Sequence, residues 1–199
     1  SSHSISFFRE EKRSMKNSIS VCALSEFVNE VESSPEEACA SYAIDLEWQS
    51  GARSKAATAP MKLGPHRVSR TFSWSIDEPR QLLGSNHAPN PQEYLLSGFA
   101  GCLMMAFVSG ATARDIQLET LVIHVAGDLD LRGFLGAGGS ASVGFSDLHY
   151  RIEVCGDASP DEFEALMRQA ESHSPNAMTL AQPVKLHGKI VASRSGDRS

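Results

Sequence analysis

The stretch Asn90-Pro91-Gln92-Glu93, with the twenty uncharged residues that follow it from Tyr94 to Ala113, constrains this chain more than any other segment. Asn90 suits a helix N-cap, Pro91 the first helical position, and Glu93 the place from which a carboxylate reaches back to the cap. Leu95, Leu96, Phe99, Leu103, Met104, Met105, Phe107 and Val108 then put apolar groups on every side of the helix. A helix that is apolar all round is buried in a core or in a membrane. Cys102 lies near its middle, either as an inert small core residue or as a nucleophile presented at a crevice.

A run of about twenty apolar residues is long enough to span a bilayer. Here Ser97, Gly98, Gly101, Ser109, Gly110 and Thr112 dilute it, Arg114 and Asp115 close it, and a strand-like pattern follows at once. Mean hydropathy over the chain is −0.21. The expectation is therefore a helix between a sheet and a second helix, with no membrane partner. Gly98 and Gly101, on the Cys102 side, would admit a close backbone. A chain of 199 residues, 41% hydrophobic and 21% charged, suffices for one globular domain. Its net charge of −6 argues against nucleic acid as a partner, because phosphate binding needs a basic face. Cys22, Cys39, Cys102 and Cys155 show neither CxxC nor metal-ligand spacing, so neither a metal nor a cofactor is expected. Scattered cysteines and a charged N-terminus without a secretory pattern predict a cytoplasmic location. Residues 1–17 are expected as a flexible N-terminal segment and 18–199 as a single domain.

Leu24, Phe27, Val28 and Val31 follow helical spacing over 20–32. Tyr42, Ile44, Leu46 and Trp48 alternate with Ala43, Asp45 and Glu47 as a half-buried strand, and a second strand is predicted over 52–61. Val68, Phe72, Trp74 and Ile76 mark a third, which places Arg70 on its apolar face. Beyond the central helix, Leu121, Ile123, Val125, Leu129 and Leu131, then Leu148, Tyr150, Ile152 and Val154, predict a long hairpin around a glycine-rich loop. Ser159-Pro160-Asp161-Glu162 is another capping box, Ser174-Pro175 restarts the chain, and Val184, Leu186 and Ile190 predict a closing strand. Runs of antiparallel strands separated by helices make the fold class α+β.

Four segments together resemble the OsmC/Ohr superfamily over about 42–192. They are Asn90 to Leu96 with Ala100-Gly101-Cys102, Gly127 to Gly136, Gly156 to Glu162, and Ser174-Pro175 with Thr179-Leu180. The resemblance implies antiparallel sheets wrapped around two central helices in an intertwined homodimer. It also implies a thiol peroxidase that reduces organic hydroperoxides in oxidative-stress defence. In such enzymes a central-helix cysteine attacks the peroxide, a cysteine before a proline resolves it, and an arginine and a glutamate serve the first cysteine. Carried over by residue, Cys102 matches the attacking cysteine and Arg53 the arginine. Ser174 stands at the resolving position and Gln92 at the glutamate position, with Glu93 beside it. These departures place the chain nearer the single-cysteine OsmC-like branch. The implied catalytic set is Cys102, Arg53 and Glu93, with Arg70 as an alternative cation and an external thiol as reductant.

An apolar site raises a cysteine pKa, and Cys102 lies twelve residues past Asn90, beyond the field of the helix N-terminus. A reactive Cys102 therefore needs a nearby cation. Ser174 cannot form a disulfide and reads as a helix N-cap, and no GxSxG elbow supports a hydrolase pair with His173. Cys155 is the internal alternative for completing a redox cycle. His124, His149 and His187 read as solvent-facing strand residues. Two functions follow: peroxide reduction by Cys102 with an external thiol, or a non-catalytic module that binds an apolar small molecule in the dimer crevice.

Overall fold

The computed structural model describes residues 15–195. The described residues open with β1 (Met15–Lys16), β2 (Ile19–Ser20) and α1 (Val21–Ser33). A run of short strands follows: β3 (Ala40–Ser41), β4 (Ile44–Ser50), β5 (Arg53–Thr58), β6 (Met61–Leu63), β7 (His66–Val68) and β8 (Ser73–Ile76). The second half comprises α2 (Pro91–Ala113), β9 (Leu118–Ala126), α3 (Leu131–Leu135), β10 (His149–Gly156), α4 (Pro160–His173) and α5 (Pro175–Ala181). Antiparallel sheets of order β4-β5-β8 and β3-β6-β7, and the hairpins β9-β10 and β1-β2, account for the strands. The fold class is α+β, as the sequence implies.

The central helix starts where its capping box requires. Asn90 Oδ1 accepts from Glu93 N at 2.9 Å, and Glu93 Oε2 accepts from Asn90 N at 2.7 Å. Phe99, Leu103, Phe107 and Ala111 recur every four residues and form one buried stripe. Against it pack the inner faces of β9 and β10 (Leu121, Ile123, Val125; Tyr150, Ile152, Val154), with Leu166 and Ala170 of α4 and Ala177 of α5. The strands can do this because their alternation sends every second residue to one side. Phe99 and Tyr150 meet edge to face, centroids 5.8 Å apart. A Cβ on Gly110 would come within 2.7 Å of Leu166 Cδ1, so glycine there sets how closely α4 approaches. Each large apolar side chain buried in this way stabilises the fold by roughly 1.5–3 kcal/mol.

Several expectations change. The apolar-all-round helix is covered on one stripe only, and Leu95 and Met105 on its other side are 46% and 56% exposed. The strand expected to be half-buried over 42–48 is exposed on both faces, Trp48 by 72%, because no layer of the described residues lies over it. The predicted third strand splits into β7 and β8, and Arg70 falls in the gap with its guanidinium 5.0 Å above the Phe72 ring. The strand extended to Leu131 ends at Ala126. There Asp130 caps a short helix by accepting from Arg132 N at 2.9 Å, so a local cap overrides the continuing alternation. No strand forms after Ala181 among the described residues, and Leu186 and Ile190 are 93% and 87% exposed with no neighbouring strand to pair with.

The expected flexible segment lies mostly outside the described residues. Met15–Asn17, at its end, are tied down. Asn17 Nδ2 donates to Ile116 O at 2.9 Å and to Thr112 Oγ1 at 3.2 Å, and Asn17 Oδ1 accepts from Leu118 N at 2.8 Å. Lys16 pairs with Asp115 at 2.9 Å.

Candidate functional site

Helical spacing puts Leu95, Gly98, Cys102 and Met105 on one stripe, turned away from the buried one. Cys102 is half-buried there, and its sulfur makes no hydrogen bond among the described residues. A Cβ on Gly101 would meet nothing within 4 Å, and one on Gly98 would meet Asn176 Nδ2 at 3.7 Å. Asn176 Nδ2 donates to Gly98 O at 2.9 Å, tying α5 to the central helix one turn before Cys102. At the head of α5, Ser174 is fully buried and its Oγ accepts from Ala177 N at 3.2 Å. The position where a resolving thiol would stand is thus a hydroxyl committed to capping a helix.

None of the charged candidates bonds to the thiol among the described residues. Glu93 is held in the capping box. Arg53 opens β5, and its Nη2 donates to Ser50 Oγ at 3.2 Å. Arg70, stacked on Phe72 beside Met61 Sδ at 4.0 Å, is not the inward cation that the strand pattern suggested. No hydrogen bond or ion pair joins Arg53, Glu93 and Cys102 to one another among the described residues. Cys155 donates to Glu119 Oε2 at 3.3 Å, and this carboxylate's hydrogen bond, its charge and burial push the thiol's pKa up. The described residues contain no group of three His, Cys, Asp or Glu side chains arranged for a metal. Asp130 pairs with Arg132, Nε to Oδ2 at 2.9 Å.

The sequence reading missed the acidic pair between β8 and α2. Asp77 is 1% exposed and accepts from the backbone N–H groups of Glu78 at 2.8 Å, His87 at 3.0 Å and Ser85 at 3.1 Å. Burial pulls its pKa up, but these donors and the nearby His87 ring outweigh that, and the net shift is downward. Glu78 behaves oppositely. Its Oε2 is buried without a hydrogen-bond partner among the described residues. Burial raises its pKa, the Asn90 side chain opposes this, and the neighbouring Asp77 and Glu93 carboxylates add to the rise. The signal available in the sequence was an Asp-Glu-Pro at a strand end followed by Gly84-Ser85-Asn86, a turn in which an aspartate recruits nearby backbone donors.

An OsmC-like protein of Mycoplasma pneumoniae shares this fold over 71% of this chain and 87% of its own, at 20% identity and a TM-score of 0.55. An OsmC-like protein of Vibrio cholerae does so over 69% and 92%, at 13% identity and a TM-score of 0.51. No curated protein matches the sequence significantly. The sequence profile of OsmC-like proteins matches residues 84–187, more than half of the chain, taking in the central helix with Cys102 and everything through α5. On this match, and on a central helix packed against an antiparallel hairpin and two further helices, the chain belongs to the OsmC-like family.

Proposed function

We propose that this chain reduces organic hydroperoxides in oxidative-stress defence, with Cys102 as the attacking sulfur and an external thiol as reductant. The observation that supports the reading is the position of Cys102, half-buried on the uncovered stripe of α2 beside the empty space at Gly101, with no hydrogen bond to its thiol among the described residues. The Cys102 thiolate attacks one peroxide oxygen. An S–O bond forms as the O–O bond breaks, the leaving alkoxide takes a proton to become an alcohol, and the sulfur is oxidised to sulfenic acid. One external thiol then attacks the sulfur and releases water, and a second frees Cys102 as an external disulfide forms. Ser174 contributes no sulfur to this cycle, and Glu119 disfavours the Cys155 thiolate. Arg53 is the proposed cation for the thiolate, with Glu93 as its acidic companion.

A second copy of the chain is part of the same proposal. Ile44, Leu46 and Trp48 on the sheet, and Leu95 and Met105 on the helix, are the apolar surface an intertwined homodimer would bury. Obligate interfaces of that kind cover about 2,000 Å² or more. The decisive assay is consumption of cumene hydroperoxide with dithiothreitol. Cys102→Ser is expected to abolish it, and undiminished turnover in that variant would end the reading. A cleft of about 580 Å³ lined by Phe107, Ile152, Val154, Phe163 and Met167 favours the second reading, a module that binds an apolar small molecule. Native mass spectrometry of the purified protein tests it by the presence or absence of a retained ligand.

A further inference from the structure

We propose that α1 of one copy of this chain docks on the β6-β7 hairpin of a second copy. The inference rests on the self-association proposed above, but on a surface other than Ile44, Leu46 and Trp48. Charge is divided sharply along the first half of the chain. Residues 17–52 carry seven Asp or Glu and no Lys or Arg, whereas residues 53–70 carry five Lys or Arg and no Asp or Glu. Among the described residues these stretches form one ion pair, His66 Nε2 to Glu37 Oε2 at 3.6 Å. Glu30 and Glu32 on one side, and Lys62, Arg67 and Arg70 on the other, form none among the described residues.

The helix α1 lacks a cover. Leu24, Phe27, Val28 and Val31 make one apolar stripe, yet no residue of the helix is buried, and Phe27 and Val28 are 41% and 44% exposed. In its own chain α1 meets β2 and the 3₁₀ turn Pro35–Ala38. Helical spacing puts Glu30 and Glu32 on either flank of the stripe. Both stand in the last turn, where the helix dipole is already negative, and no basic residue balances them there. Cations from another surface are favoured at this end by the carboxylates and by the dipole together. The same acidic rim repels anionic lipid headgroups, so a membrane does not suit the stripe.

The hairpin is the complement. β7 is the edge of the β3-β6-β7 sheet, and sheet edges are commonly covered by a helix or loop. The register sets Val68 beside Met61, and Arg70 reaches Met61 Sδ at 4.0 Å while stacking on Phe72. Val68 and Phe72 are both exposed, so the strip is apolar with a cation set in it. Lys62 and Arg67 are direct cross-strand partners, a like-charge pair that a nearby carboxylate relieves. An apolar stripe with an acidic rim thus matches an apolar strip with a basic rim. Each copy carries both halves, so a two-fold dimer makes the contact twice.

Hydrogen exchange of the α1 amides in the full chain, with sedimentation equilibrium alongside, tests this. Glu30→Lys with Glu32→Lys, and separately Arg67→Glu with Arg70→Glu, should each speed α1 exchange by about tenfold. Without docking, the first pair would slow exchange by suiting the helix dipole, and the second would leave it unchanged. An equimolar mixture of the two variants brings reversed helix to reversed hairpin and native helix to native hairpin. It should return α1 toward the parent rate. If one chain carrying all four substitutions is protected and the mixture is not, the contact lies within a single chain and the proposal is overturned. Unchanged α1 exchange in both variants overturns it as well. A parent that stays monomeric overturns this docking and the proposed homodimer together, whereas a dimer whose α1 ignores every substitution overturns the docking alone.

Discussion

Leu103 and Leu46 are the same residue type on equally regular elements, yet Leu103 is fully buried and Leu46 is 55% exposed. The contrast runs through the molecule. Between Pro91 and Ala181 the long elements find a second layer in their own chain: the hairpin covers one stripe of α2, and α4 and α5 seal its flank. From Ile44 to Ile76 the strands pair correctly edge to edge and bury Ala56, but Ile44, Leu46 and Trp48 stay exposed among the described residues. Backbone pairing and side-chain burial are therefore separate achievements. The N-terminal meander has completed only the first, and the open stripe of α2 that carries Cys102 has the same deficit.

That difference can be broken from either side. Leu103→Ala should cost the most, about 2–5 kcal/mol, because it leaves a cavity in the packed half. Denaturant unfolding should register the loss at every protein concentration. Leu46→Asp should leave the folding of the single chain nearly unchanged while weakening the proposed self-association by about 2 kcal/mol or more, as removal of an interface anchor does. Sedimentation equilibrium reads this. A variant that loses intrinsic stability and keeps its oligomeric state would show that Leu46 is covered within its own chain. Asn17→Ala removes the side chain that links the N-terminal hairpin to Thr112, Ile116 and Leu118, and should cost roughly 1–3 kcal/mol because it takes their partner from the Ile116 carbonyl and the Leu118 N–H. Hydrogen exchange at Leu118 localises the effect. Ser174→Ala should cost about 1 kcal/mol through loss of the α5 cap, measured as a small drop in Tm.

The smallest expected effect concerns pH. The Asp77 pKa lies below its ordinary value of 3.8 in the folded chain. A group whose folded pKa is depressed contributes stability that is present above its unfolded pKa and is lost as pH falls through the folded one. Asp77→Asn should therefore be less stable than the parent at neutral pH, and the gap should close below about pH 4. Urea midpoints across pH 3 to 7 check the sign. A gap that widens on acidification would mean that the loop amides do not hold the carboxylate in its charged form.

Much of the fold was legible in the residues. Asn90-Pro91 with Glu93 and Ser159-Pro160 with Glu162 start their helices within the spans read from sequence, and Ser174 caps as its Ser-Pro context implied. The alternation over 121–125 and 148–154 located the hairpin. The candidate site was legible only in part. Cys102 and its helix came from pattern and resemblance, whereas Asp77 and Glu78 drew no notice because two acids before a proline look like any turn. Arg70 appeared to point inward because alternation was extended across a break that only the β5-β8 and β6-β7 pairings impose.

The sequence by itself determined where helices begin, which residues share a face, and that one cysteine lies midway along an uncharged helix. These follow from rules that act over two to four residues, through caps, periodicity and steric preference. Only the tertiary structure decided which stripe of that helix is covered, that the strand over 68–76 divides, and that a carboxylate oxygen at Glu78 is buried without a donor among the described residues. Each of these depends on which surfaces meet across long separations in the chain, and an apolar stripe does not specify the partner that will cover it.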